Sequence, residues 1–503
     1  MDPSAQIKTG AIISYIAIVV NIAIGLVFTP WMINTIGKAD YGLYTLAMSI
    51  ISIFIFDFGL SSAVTRFVAK YLAEENPLMV GKVLGVTYKL YLGIDVLITV
   101  FLTGFFFLIP FLYQGLTSQE IEKFKVVFVI AASFSIVSFP FIPLNGVFSA
   151  YEKFIQLKLC DLAHKLLTVG LMTWCLMRGF GLYALVIVNA VSGISVVLLK
   201  VWLITKEVDV KIDWRFWDPI LFKSIVLFSF WVSIIALCQR LIFNLAPSIL
   251  GVVSDSQNIA NLGVAATLEG YVYTFAAAIS GLFLPKVSRM VKDDNLDGIN
   301  GLMVRVGRIQ LFVISMIILG FVAVGQDFLL LWVGPDYSDV YLCAILLMIP
   351  SFLYLPMEVG NVAVIARNEV KAQSRVFILM ALINLVLAFP LSKVLGVLGM
   401  CISILIAYLW RTIGMIIVFV KRLSLDMVFF YKESFIKMLP ALLIMSTISI
   451  TMRILHPIPN FWGFLVWSGL FVCLFVLVFF VMGLNQEEKE LIVSPFKRLM
   501  RIR

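Results

Sequence analysis

About fourteen apolar segments run along this chain, each long enough as a helix to cross roughly 30 Å of hydrocarbon, and no other feature so narrows its folds. Their approximate limits are 11–33, 41–64, 83–109, 126–149, 157–177, 181–202, 221–245, 259–284, 308–331, 340–364, 376–395, 399–420, 435–455 and 461–484. Charges, Pro, Gly or Asn bound each one. Within lipid only a helix pairs its own backbone groups inside a single segment, so the expected fold class is an all-α polytopic membrane protein. The 503 residues are 62% hydrophobic and 13% charged. Soluble domains run nearer 45–50% and about 25%, which excludes a water-soluble globule. Forty-two Phe and ten Trp in so apolar a chain exclude disorder as well.

Charge gives a second test. With both termini cytoplasmic, twenty-eight of the 38 Lys and Arg fall on the inside, from Lys8 through Lys82, Lys200, Arg308 and Arg422 to Arg503. Six lie outside: Lys38, Lys123, Lys125, Arg178, Lys393 and Arg453. That asymmetry obeys the positive-inside rule, and a miscounted helix would scramble it. The formal charge of +9 is thus mostly a topology signal, aided by attraction to anionic membrane lipids, and calls for no nucleic acid. Trp31, Trp332, Tyr337 and Trp462 read as interfacial anchors. Met1–Gly10 is polar and no cleavable signal is expected. The six cysteines sit in apolar stretches without a C-x-x-C pair, and His164 and His456 are the two histidines, so neither a metal site nor a cofactor is expected. No P-loop or nucleophile–base pair marks an enzyme.

The chain also resembles itself. Val68–Asn76 matches Val287–Asn295 at an offset of 219, Pro30 pairs with Pro247, Pro140 and Ala150 with Pro356 and Ala366, and Gly181 with Gly399. Six spans per repeat is an even number, so both halves share one orientation, the parallel-repeat arrangement of some transporters. The expected organisation is an N-terminal lobe at 1–205, a cytoplasmic linker at 206–223, a C-terminal lobe at 224–422 and two further helices with a cytoplasmic tail at 423–503. Trp214 and Trp217 suggest that part of the linker lies in the membrane interface.

Four stretches then resemble a known family. Ile36–Tyr44, Phe56–Ala63 with Arg66 following, Phe283–Ser288 and Leu395–Met400 are similar to turns and helix ends of Wzx-type polysaccharide flippases, over roughly residues 8–422. The resemblance implies the fold of the multidrug/oligosaccharidyl-lipid/polysaccharide exporter superfamily, two six-helix lobes forming a V around a cavity that opens alternately to each side. It implies an undecaprenyl-pyrophosphate-linked sugar repeat unit as cargo, flipped across the bacterial inner membrane for O-antigen or other surface polysaccharide. Polymerase and chain-length proteins of that pathway are the partners it suggests. A multidrug/cation antiporter of the same superfamily is the alternative, and a polysaccharide polymerase or ligase a remoter one, since the outside loops look short.

Ten ionisable residues fall inside the spans: Asp57, Lys89, Asp95, Asp161, His164, Lys165, Arg240, Glu269, Glu358 and Arg411. A lipid-facing charge at mid-membrane costs about 2.5–3.5 kcal/mol on insertion scales, so most should face protein or a wet cavity. Arg240 and Arg411 are candidates for an anionic headgroup, which a guanidinium fork suits, or for fixed ion pairs. Asp161 and Lys165, four apart, are expected to pair, with His164 beside them. Lys89 either snorkels or joins Lys165, His164 and Arg66 in binding cargo. Asp57 is read as a cap, a structural pair or a coupling group. Asp95, Glu269 and Glu358 are candidates to carry a coupling proton, or sodium.

Overall fold

Helices alone pair the backbone here: no strand occurs among the described residues of this computed structural model, which are 3–54, 57–207, 212–280, 287, 289–291, 293–367, 369–455 and 460–490. In chain order they are α1 (Pro3–Ile36), α2 (Lys38–Phe54), α3 (Leu60–Ala73), α4 (Pro77–Leu112), α5 (Ser118–Ser138) and α6 (Pro143–Ala150). α7 (Phe154–Met177), α8 (Leu182–Glu207), α9 (Pro219–Val253), α10 (Ser256–Ser280), α11 (Leu296–Trp332) and α12 (Val340–Tyr354) follow. The last are α13 (Glu358–Ala366), α14 (Val370–Leu395), α15 (Val397–Leu423), α16 (Met427–Tyr431), α17 (Lys437–Leu455) and α18 (Phe461–Val478). Most of Phe283–Ser288, the residue His456 and the tail 491–503 lie outside the described residues.

Within the described residues each of the fourteen expected segments is mostly helix. Among the described residues eleven helices are long and apolar enough to cross a membrane, twelve if the pair Val20–Ile36 and Lys38–Ile53, bent by 117° at Gly37, counts as one span. The first two expected spans meet at that sharp bend, and α10 carries Asn258, Asn261 and Glu269 along its length. Three expected spans are also interrupted. The 41–64 segment breaks at Asp57–Gly59, where Phe58 and Gly59 are left-handed (φ 49° and 65°). The 126–149 and 340–364 segments break at 3₁₀ turns, Phe139–Phe141 and Leu355–Met357.

Those breaks make the internal repeat visible in the backbone. Pro140 and Pro356 occupy the two 3₁₀ turns, and the short helices that follow end at Ala150 and Ala366. Glu75 and Asp294 are both left-handed (φ 52° and 48°). Asn76 and Asn295, next in line, both cap a long helix by accepting from the amides of Met79 and Gly298. Gly179 and Gly396 also share positive φ. Local chemistry explains each: an Asn side chain satisfies an orphan amide, and Pro fits a first turn whose amide would have no partner.

Packing divides the chain into two units, Met1–Gly263 with Phe377–Met400, and Val264–Val376 with Cys401–Arg503. In the first, α9 packs along α2 and α3, α8 along α5 and α7, and α6 against α3. The linker is strapped to α4. The Asp213 amide donates to Gly81 O (3.1 Å), the Tyr88 and Trp214 rings lie 5.8 Å apart, and Lys82 sits over the Phe216 ring. The approach requires Gly85, because a Cβ there would lie 2.0 Å from Asp213 O. Trp214 and Trp217 keep half of their surface exposed.

In the second unit α11 is the spine, packed by α12, α13, α17 and α18. A ladder of Phe312, Phe471, Phe475 and Phe479 fills the seam, with the Phe475 and Phe479 rings stacked at 4.3 Å. Two π-helical turns, Lys432–Ile436 and Phe479–Gly483, flank it. Trp462 is exposed, as an interfacial anchor should be, whereas Trp332 and Tyr337 are buried by protein at the end of α11 and do not anchor.

Candidate functional site

In the first unit, the break between α2 and α3 frees backbone groups at the depth of a span. Asp57 closes one side: its Oδ1 accepts from the Ser61 amide (3.0 Å), Ser61 Oγ (2.7 Å) and Tyr91 Oη (2.8 Å). α9 closes the other. Ser233 donates to Phe58 O, Ser229 to Gly59 O, and Arg240 Nη1 to Ser52 O (2.8 Å). Arg240 also lies in the field of Asp57. Of the expected roles for Asp57, the cap is the one this geometry displays. Removing the cap by Asp57→Ala should cost about 0.5–2 kcal/mol, read as a lower melting temperature, with Asp57→Asn recovering part of it.

A cationic cluster lies between α6, α7 and α8. Lys200 Nζ donates to Asn145 Oδ1 (3.1 Å) and Asp161 Oδ1 (3.3 Å), and Lys158 sits 3.8 Å from Asp161 Oδ2. His164 is within electrostatic range of Lys200, Asp161 and Lys165. The expected pairing of Asp161 with Lys165 is therefore corrected: the aspartate turns to Lys200 and Lys158, because Lys200 approaches from the neighbouring helix with only 14% of its side chain exposed. Two lysines hold the one carboxylate, and His164 and Lys165 lie beside them. Lys200 and Lys158 were legible only as inside-loop charges; the contact that recruits Lys200 joins residues 39 apart.

The other expected residues of this unit disperse. Lys89 donates to Phe216 O (3.0 Å) and lies beside the Trp217 ring, so it holds the linker. Arg66 is exposed on α3. Asp95 is half-buried on α4, and its Oδ1 has no hydrogen-bond partner among the described residues.

In the second unit the structure brings Arg411, Glu269 and Glu358 together. The Arg411 guanidinium lies 3.5 Å from the centre of the Tyr354 ring and 4.1 Å from that of Tyr408. Both carboxylates and Tyr273 feel its charge. Ser351 Oγ donates to Glu269 Oε1 (3.3 Å) and Asn361 Nδ2 to Glu358 Oε2 (2.7 Å). Arg411 and Glu269 are 4% and 8% exposed. The break at Leu355–Met357 sets this geometry, placing Tyr354 before the turn and Glu358 after it. Among the described residues the group holds one cation and two carboxylates, a balance that one proton or one bound cation would complete.

A further ion pair escapes the sequence. Arg308, expected among the inside-loop charges, is buried: Nε and Nη2 grip Glu488 at 2.6 and 2.8 Å, Nη1 donates to Glu433 O and Nη2 to Gly483 O, both at 2.7 Å. Its fork thus takes one carbonyl from each π-helical turn.

A family profile described as "Polysaccharide biosynthesis protein" matches residues 7–291. No curated protein matches the chain. Among solved structures, an inward-facing multidrug resistance MATE family transporter of the MOP superfamily aligns with TM-score 0.67 at 14% identity, covering 81% of this chain and 96% of that one. The lipid II flippase MurJ, in an inward closed conformation, aligns with TM-score 0.66 at 12% identity over 98% and 99%. A MOP superfamily transporter from Pyrococcus furiosus aligns with TM-score 0.60 at 15% identity over 83% and 95%. At such identities the likeness is one of fold, and the fold is that of MATE and MurJ.

Proposed function

The chain belongs to the polysaccharide biosynthesis protein family, and from that premise we propose that it flips polyprenyl-pyrophosphate-linked oligosaccharide units from the cytoplasmic to the periplasmic leaflet. The observation that carries the reading is the half-buried cluster in which Lys158 and Lys200 hold Asp161, with His164 and Lys165 beside them, on helices of a membrane fold. Excess positive charge there suits a pyrophosphate, and each charged hydrogen bond is worth about 1.5–3 kcal/mol. In this reading the sugar head crosses by alternating access while the polyprenyl tail stays in lipid. Both termini are cytoplasmic, in the inner membrane. The Glu269–Glu358–Arg411 group is the coupling element, loading a proton or sodium ion to balance its second carboxylate.

Deleting the gene in a host without a second flippase should strand lipid-linked repeat units on the cytoplasmic face. Normal surface polysaccharide in that strain would reject the reading. The double variant Lys165→Gln/Lys200→Gln should cut export at least about tenfold, with insertion and abundance unchanged. The MATE-like fold keeps multidrug antiport as a second reading. Dye efflux from a pump-deficient strain, in the absence of any effect on polysaccharide, would favour it.

A further inference from the structure

At the opposite end of α11 from Arg308, about 27 Å along the helix axis, a cavity of about 350 Å³ opens between the α11–α12 turn and the end of α17. That volume falls in the range of small-ligand sites, about 300–1,000 Å³. Its polar wall is Gln326, Asp327, Ser338 and Arg453, and its apolar floor includes Leu330 and Pro335. The arginine is held in place before any ligand arrives. Its guanidinium lies 4.3 Å from the centre of the Tyr341 ring, and Nη2 is 3.5 Å from Gln326 Oε1. Tyr341 is itself fixed, stacked on Phe321 at 5.7 Å and donating to Val322 O at 2.9 Å. The floor residues and the polar wall thus line one pocket that offers a guanidinium, a carboxylate, an amide and a hydroxyl.

We propose that this cavity binds a neutral pyranose sugar. Vicinal hydroxyls both donate and accept, so they match a wall that offers an acid and an amide oxygen beside an arginine fork. The C–H face of the ring would lie on Leu330 and Pro335. Charge argues against a phosphate or an anionic lipid headgroup: among the described lining residues Asp327 balances Arg453, so the wall carries no surplus positive charge. The proposal is separate from the transport reading, because a sugar held here need not be cargo.

The test is saturation-transfer NMR on the purified full chain in lipid nanodiscs, with free glucose, galactose, mannose and N-acetylglucosamine as probes. At least one should receive magnetisation, and Asp327→Asn and Arg453→Gln should each weaken it at least about tenfold. Ser338→Trp, at an exposed position on the rim, should fill the cavity and abolish the signal without touching the ion-bearing wall. Arg305→Gln, at the other end of α11, should leave it unchanged. No transfer from any of the four sugars at tens of millimolar would overturn the proposal, as would an equal signal in Ser338→Trp. Tight binding of inorganic phosphate or Mg²⁺ in place of sugar would overturn it too.

Discussion

Glu488→Ala should destabilise the protein by about 3–5 kcal/mol, the cost of leaving a buried charge without its partner. Arg308 and Glu488 are 5% and 6% exposed, so water cannot take over the lost contact. The damage should reach further than one pair, because the same guanidinium serves Glu433 O and Gly483 O, and Glu488 also accepts from the Asn485 amide at 2.9 Å. The variant should therefore release the 483–490 segment from α11 as well as lower the melting temperature. Replacing both partners, Arg308→Met with Glu488→Leu, removes the desolvated charges together and should recover most of the loss. Fluorescence melting in detergent decides it. A single variant as stable as the wild type would show that the pair contributes nothing, and a double variant no better than Glu488→Ala would show that the carbonyl contacts of Arg308 dominate.

Arg411→Gln is the second large effect. It strips Glu269 and Glu358 of the cation they share, and it removes a guanidinium held against two tyrosine rings, a contact worth about 0.5–2 kcal/mol by itself. A loss of about 3–5 kcal/mol is expected, together with loss of export. Adding Glu269→Gln should restore stability, since the surplus negative charge goes while Ser351 can still hydrogen-bond the amide. Export should stay low in the double variant, because it has neither the cation nor the group that would load a proton. Recovered stability with recovered export would remove Glu269 from the coupling role. Unrecovered stability would mean that Glu358, through Asn361, carries most of the conflict.

The helices were legible because a 20-residue apolar run has no other stable state in lipid. The repeat was legible because Pro, Asn and Gly mark positions where the backbone must bend or end. The breaks inside spans were not. Asp57–Gly59 interrupts an apolar run without ending it, and hydropathy averages across the gap. Trp332 and Tyr337 were misplaced for a related reason: an aromatic at a helix end looks the same to hydropathy whether lipid or protein covers it. Charge partners were the least legible part. Asp161 and Lys165 have ideal spacing for a pair, yet a lysine on the adjacent helix wins. Arg308 meets Glu488 across 180 residues, a relation that no local pattern contains. The two Glu and one Arg of the second unit were each visible as buried ionisable groups, while their convergence depends on the turn at Pro356.

Backbone punctuation in this molecule is written twice, whereas the clustered charges of its two units differ. Pro140 and Pro356, Glu75 and Asp294, Gly179 and Gly396 recur in register, but the lysines of α7 and α8 have no counterparts among the second unit's Arg411, Glu269 and Glu358. Shape and chemistry therefore answer to separate sets of positions. A chain built this way can be retuned toward a different cargo by swapping single side chains, while the duplicated scaffold that bends the helices is left as inherited.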